Sequence, residues 1–175
     1  MFSSLRVKFT IANSDPSIYR IIELQPEVSL QILHEIVQAA FEWTNSHVHY
    51  FKDASGKILK NEEDISATQI LQKEKPLHYI YDFANSWTII IELIDAVNEN
   101  TILDVTARCI EGQLNSPPED AGGITAYSDA LELLTKHREK KRPFPLIAEW
   151  LGEDYDSAAF NIKNVNNLLS HIVIG

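Results

Sequence analysis

Residues whose types suit chemistry gather in three stretches. His47 and His49 stand at i, i+2, a spacing that puts both side chains on one face of a strand. Asp82 and Asn85 come just before Trp87, and Glu111 precedes Glu119 and Asp120 in Pro117-Pro118-Glu119-Asp120-Ala121-Gly122-Gly123. Carboxylate oxygens with imidazole nitrogens suit a divalent cation, and a bound cation could activate water. The chemistry would be that of a metal-dependent hydrolase centred on Asp82, Glu119 and Asp120 with His47 or His49. A structural reading competes and is preferred, because carboxylates in turns are common and complete sites are few. In it Asp82 and Asn85 bond the turn before Trp87, Glu119 and Asp120 cap backbone N–H groups in the Gly-Gly loop, and both histidines are ordinary strand residues.

Other segments point less far. Pro117–Gly123 has the glycines of a phosphate loop, but two acids at its centre repel phosphate. Lys136-His137-Arg138-Glu139-Lys140-Lys141-Arg142 is the one basic run. It reads as the C-terminal end of a helix whose start carries Asp129 and Glu132, as the helix dipole favours, rather than as a nucleic-acid patch. Cys109, the sole cysteine, has no histidine–acid pair near it in sequence and reads as a small buried hydrophobe. Tyr79, Tyr81, Phe83 and Trp87 read as core, with Trp87 packed under the long loop. No cofactor is expected beyond the divalent metal of the hydrolase alternative.

The elements that must position these residues follow from periodicity. Leu5, Val7, Phe9 and Ile11 alternate with polar residues, a half-buried strand, and Ile18–Leu24 reads as its hairpin partner. Ser29 caps a helix over Leu30–Trp43, with apolar residues at helical spacing and Val28 and Leu33 placed as a hydrophobic staple. His47–Lys52 is a short strand, Asp53–Gly56 a turn, and a short helix follows Ser66. Leu77–Phe83 and Trp87–Val97 are strands, and Asn98-Glu99-Asn100 would connect the latter in a hairpin to Ile102–Cys109. Ile110–Ile124, dense in proline and glycine, is a long ordered loop. Thr125 or Ser128 then caps a helix reaching about Lys140, broken by Pro143 and Pro145. Leu146–Leu151 and Val165–Ile172 are shorter helices. Strands first and helices last predict an α+β fold: a mixed, mostly antiparallel sheet, a packed helix near the N-terminus and a helical C-terminal portion. The expected organisation is a single domain over 1–175, strand-rich over 1–110, an ordered loop over 110–124 and helical over 125–175.

Composition narrows the function classes. The 175 residues carry 15 basic and 25 acidic side chains, a net charge of −10, which repels phosphate backbones and argues against a nucleic-acid partner. One cysteine excludes an internal disulfide framework and any multi-cysteine metal site. The N-terminus alternates instead of forming the apolar core of a signal peptide, and Trp87–Ile94 is too short to span a bilayer. No membrane association is expected, and the cytoplasm is the expected location.

Four segments, in order, resemble the plasmid pRiA4b ORF-3-like family: Pro16-Ser17-Ile18-Tyr19-Arg20, His47-Val48-His49-Tyr50-Phe51 after Phe41-Glu42-Trp43, Tyr81-Asp82-Phe83-Ala84-Asn85-Ser86-Trp87, and Cys109–Gly112 followed by Pro117–Gly123 with Tyr127 beyond. This chain departs from the family pattern at Ala84, a glycine there, at Asn85, an aspartate, and at Ile89, a histidine. Ser116 and Ala121 stand where many members have cysteines. The resemblance implies an α+β fold but no established activity. It also implies relatives on plasmids or insertion elements, some labelled resolvases. Serine recombinases need a nucleophilic serine amid clustered arginines, whereas Arg6, Arg20, Arg108, Arg138 and Arg142 are widely spread. The leading expectation is therefore a non-enzymatic protein-interaction module whose acidic surface takes a protein partner. The hydrolase comes second and a nucleic-acid role in mobile elements third.

Overall fold

The computed structural model describes residues 3–98, 103–140 and 143–174. Along the chain run β1 (Ser4–Ile11), β2 (Tyr19–Leu24), α1 (Leu30–Ala40), β3 (His49–Lys52), α2 (Ala67–Ile70), β4 (Leu77–Tyr81), β5 (Trp87–Val97), β6 (Ala107–Gln113), α3 (Gly123–Lys140), a 3-10 turn (Leu146–Ala148) and α4 (Ile162–Leu169). The strands form one antiparallel sheet in the order β3-β4-β5-β1-β2-β6. The fold is α+β.

Alternation puts one row of side chains from every strand on the buried face. Phe9 stands opposite Ile91 and Arg20, Ile89 opposite Ile11 and Tyr79, and Tyr81 opposite Trp87 and His49. Leu30, Leu33, Ile36, Val37 and Ala40 of α1 are buried as their helical spacing predicts, and one hydrophobic core gathers side chains from Leu5 to Ile172. Ser29 caps α1 by accepting from the Ile32 amide at 3.2 Å.

Several expectations need correction. The predicted hairpin of β5 with the next strand does not form. The β1–β2 hairpin lies between them, and the last strand pairs with β2 over Leu24–Ala107 to Tyr19–Gln113. Glu99 and Asn100 of the predicted Asn98–Asn100 connection, and Ile102, the predicted start of the next strand, lie outside the described residues, and the paired strand runs from Ala107. β6 then runs through Gln113, so the loop is 114–122 and α3 starts at Gly123, not at Thr125 or Ser128. Gly112 belongs to the strand. A Cβ there would lie 2.5 Å from the Phe160 ring and 3.0 Å from Arg20 Cδ, so the position admits little else. The predicted Leu146–Leu151 helix is a single 3-10 turn, and the last helix is Ile162–Leu169, capped by Asn161.

α4 closes the β6 edge. The Asn166 side chain accepts from the Cys109 amide at 2.8 Å and donates to the Cys109 carbonyl at 2.9 Å, a side-chain copy of strand pairing. Cys109 is mid-strand and buried, and burial pushes its thiol up to about 11. Among the described residues, no helix is long and apolar enough to cross a membrane.

Candidate functional site

The end of α1 sets the site. The helix stops at Ala40, earlier than the predicted Trp43, because Glu42 takes a left-handed conformation at φ 56°. The Glu42 amide bonds the Ala39 carbonyl at 3.2 Å and the Trp43 amide bonds the Gln38 carbonyl at 2.9 Å, which satisfies the last turn. Trp43 is thereby turned onto the Pro-Pro-Glu-Asp loop, where its indole N–H donates to the Pro117 carbonyl at 2.9 Å. From the sheet, the Trp87 indole donates to the Glu119 carbonyl at 2.8 Å, so Trp87 does lie under the loop.

Glu119 does not cap the Gly-Gly segment as expected. Its carboxylate turns inward, accepting from the Thr44 amide at 2.9 Å, from the Thr44 hydroxyl in a short bond, and from the Tyr81 hydroxyl at 2.5 Å. Burial acts to raise its pKa, but the bonds from Thr44 and Tyr81 outweigh that and hold it below the usual carboxylate range. Burial and the Glu119 bond push Tyr81 up to about 12.

Asp82 and Asn85 do bond the turn before Trp87. The Asp82 carboxylate accepts from the Ala84 amide at 3.1 Å and from Asn85 Nδ2 at 2.6 Å. The turn requires φ 59° at Asp82, which ends β4 at Tyr81 and inverts the expected alternation. Asp82 goes in and Phe83, expected in the core, is 55% exposed.

His47 and His49 engage different carboxylates and do not converge on Asp82, Glu119 and Asp120. His47 precedes β3. Its Nε2 lies 3.1 Å from Asp120 and its Nδ1 3.9 Å from Asp82, and the bond to the exposed Asp120 raises its pKa against the small opposing effect of burial. His49 lies on the core face of β3, with Nε2 2.9 Å from Glu62 and its ring stacked on His34 at 3.7 Å. Glu111 is on β6, the opposite edge of the sheet, accepting from the Tyr19 hydroxyl at 2.7 Å. Among the described residues, no group of three or more His, Cys, Asp or Glu side chains could hold a metal ion.

Sequence reading missed His34. Asn45 Oδ1 can only accept, so the His34 Nε2 facing it at 3.0 Å carries the proton. Nδ1 then accepts from the Tyr79 hydroxyl at 2.8 Å, Tyr79 accepts from Gln38 at 2.9 Å, and Gln38 accepts from the Asn45 amide at 2.8 Å. This closed ring works only with neutral His34, and burial with the neighbouring His49 pulls its pKa down to about 4. The four-residue spacing of His34 and Gln38 on α1 was the available signal.

His34, His47 and His49 line a cleft of about 800 Å³ together with Glu35, Glu62, Glu63 and Asp64, and no lysine or arginine lines it. A smaller hollow of about 300 Å³ lies between Phe41, Trp43 and the Pro117–Asp120 loop.

The family model of the plasmid pRiA4b ORF-3-like proteins matches residues 3–164. The chain belongs to that family. It is 31% identical to the uncharacterized protein y4hQ of Sinorhizobium fredii (strain NBRC 101917 / NGR234), over 97% of this chain and 92% of that protein. The crystal structure of MM3350, a protein of unknown function from Methanosarcina mazei Go1, has the same fold, with a TM-score of 0.79 and 24% identity over 92% of this chain and 96% of that one. In this family member the departing positions are filled structurally. Ile89 and Ala121 are core residues, and Ser116 accepts from the Arg20 guanidinium at 2.9 Å.

Arg20 is the other residue that sequence reading undervalued. It is fully buried between the Phe41 and Phe160 rings and donates to the carbonyls of Ala40, Tyr19 and Gln113. It thus ties β2, the α1 end and the start of the loop together, without a carboxylate in hydrogen-bond contact. Burial lowers its pKa to about 10, so it stays charged at neutral pH. The basic run is likewise engaged: Arg138 donates to the carbonyls of Glu153 and Tyr155, and the His137 ring packs against Phe144. Lys141 and Arg142 lie outside the described residues.

Proposed function

We propose that this chain is a non-enzymatic protein-interaction module that holds a basic segment of its partner in the cleft of His34, Glu35, His47, His49 and Glu62–Asp64. The observation that carries the reading is the one-signed lining, four carboxylates with no lysine or arginine among the lining residues. A cleft lined by one sign of charge focuses its field on the opposite charge. The internal bonding of Glu119 and Asp82 supports the same reading, since both carboxylates already accept from fixed protein donors. The same reading takes the 175 residues as a single domain acting in the cytoplasm, with nucleic acid disfavoured by the net charge of −10.

The test is calorimetric titration with a lysine-rich Gly/Ser decapeptide. Binding that weakens as salt rises, and that Glu35→Gln/Glu63→Gln/Asp64→Asn abolishes, supports the reading. Binding indifferent to those substitutions contradicts it. A second reading, a metal-dependent hydrolase, has in its favour only that the two ring nitrogens of His47 face Asp120 and Asp82, and against it that no three ligands placed to hold an ion stand together among the described residues. A native-state metal site must raise the melting temperature by mass action. An unchanged melting temperature with millimolar Mg²⁺, Mn²⁺ or Zn²⁺ removes that reading.

A further inference from the structure

Phe83 and Val48 are 55% and 60% exposed, yet both are held on fixed backbone. The Asp82 amide donates to the Val48 carbonyl at 3.0 Å, joining the β4–β5 turn to the start of β3. The Asp82 carboxylate fixes the turn itself, and the Phe83 ring meets Tyr50 edge-on at 5.2 Å. Val48 also lines the acidic cleft, so apolar surface and carboxylates are continuous. Large apolar side chains on rigid backbone lose little conformational entropy when covered, and aromatic anchors of this kind dominate binding energy. Lys52 lies 5.3 Å from the Tyr50 ring and puts a positive charge at the far end of the patch. The surface therefore has a polarity, from the carboxylates of Glu62–Asp64 through Val48 to Phe83 and Tyr50 and on to Lys52.

We propose that Val48, Tyr50 and Phe83 form an apolar anchor site beside the cleft, and that the partner is a peptide segment carrying a large apolar side chain next to its cationic residues. This rests on the reading of the cleft as a site for a basic segment. Charge complementarity selects the occupant: a purely apolar segment leaves the carboxylates unanswered, and an acidic one is repelled by them.

The test uses three fluorescent peptides in a Gly/Ser background: one with three lysines, one with the same lysines flanked at both ends by Leu-Phe, and one with glutamates in place of the lysines and the same flanks. The expected result is binding of the lysine peptide, about tenfold tighter binding of the flanked lysine peptide, and none of the glutamate peptide. Phe83→Ser and Tyr50→Ser, each removing one anchor side chain outside the cleft lining, should abolish the tightening and leave the lysine-only affinity unchanged. Equal affinity with and without the flanks, or tightening that survives both substitutions, overturns the anchor while leaving the cleft reading standing. No binding of the lysine peptide overturns the cleft reading and the anchor with it. Binding of the glutamate peptide as tightly as the flanked lysine peptide overturns the anchor's pairing with a cationic partner.

Discussion

Replacing Glu119 with Gln puts an amide N–H₂ among groups that already donate, the Thr44 amide and the Thr44 and Tyr81 hydroxyls. Hydrogen bonds to a charged acceptor are worth roughly 1.5–3 kcal/mol each, so Glu119→Gln should lower stability at pH 7 by about 2–3 kcal/mol in urea unfolding. The pH dependence has a definite sign. The native carboxylate titrates below its ordinary 4.5, so its contribution is complete above that value and is lost as pH falls through the lower native pKa. The gap between wild type and Glu119→Gln should therefore narrow at acid pH; a constant gap contradicts the assigned role. Arg20 makes the same argument for a cation. A Lys ammonium cannot reproduce the fork that reaches Ala40, Tyr19, Gln113 and Ser116, so Arg20→Lys should destabilise by about 3 kcal/mol or more without restoring native packing. Neither role was legible locally. Glu119 bonds partners 75 and 38 residues away, and Arg20 reaches Ser116 96 residues on. The Asp82 turn was legible because its partners lie within three residues.

At the scale of elements, periodicity found β1, β2 and β5 nearly to the residue, and the start of α1, because each buries one regular face. It failed where a left-handed residue without glycine stopped an element, at Glu42 after α1 and at Asp82 after β4. The partner of β6 was also beyond it, since sheet order is decided by pairing across the whole chain. Two predictions belong here. Asn166→Ala should free the β6 edge and cost about 1–3 kcal/mol, with faster amide exchange at Cys109. The ring joining α1 to β4 through His34 and Tyr79 gives the other. His34 titrates near 4 in the fold against an ordinary 6.5, so the unfolded chain takes up its proton first and stability falls as pH drops from about 6.5 to 4. His34→Gln removes that titration, and the urea midpoint of the variant should fall less across the window than that of wild type. Parallel curves would show that the ring tolerates a protonated imidazole.

Over the whole molecule, net charge and patterning spoke to class, while the cleft was invisible to both. Its carboxylates come from α1 and from residues 61–64, a stretch without periodicity, and its histidines from α1 and the start of β3. The cleft is where we propose that a basic segment of the partner sits. The most direct measurement is the two-dimensional NMR spectrum of the ¹⁵N-labelled chain titrated with the three-lysine peptide. Shifts concentrated at Glu35, His47–His49 and Asn61–Asp64, fading as salt is raised, are expected. Shifts centred on other surfaces, or a spectrum that saturating peptide leaves unmoved, would contradict the proposal.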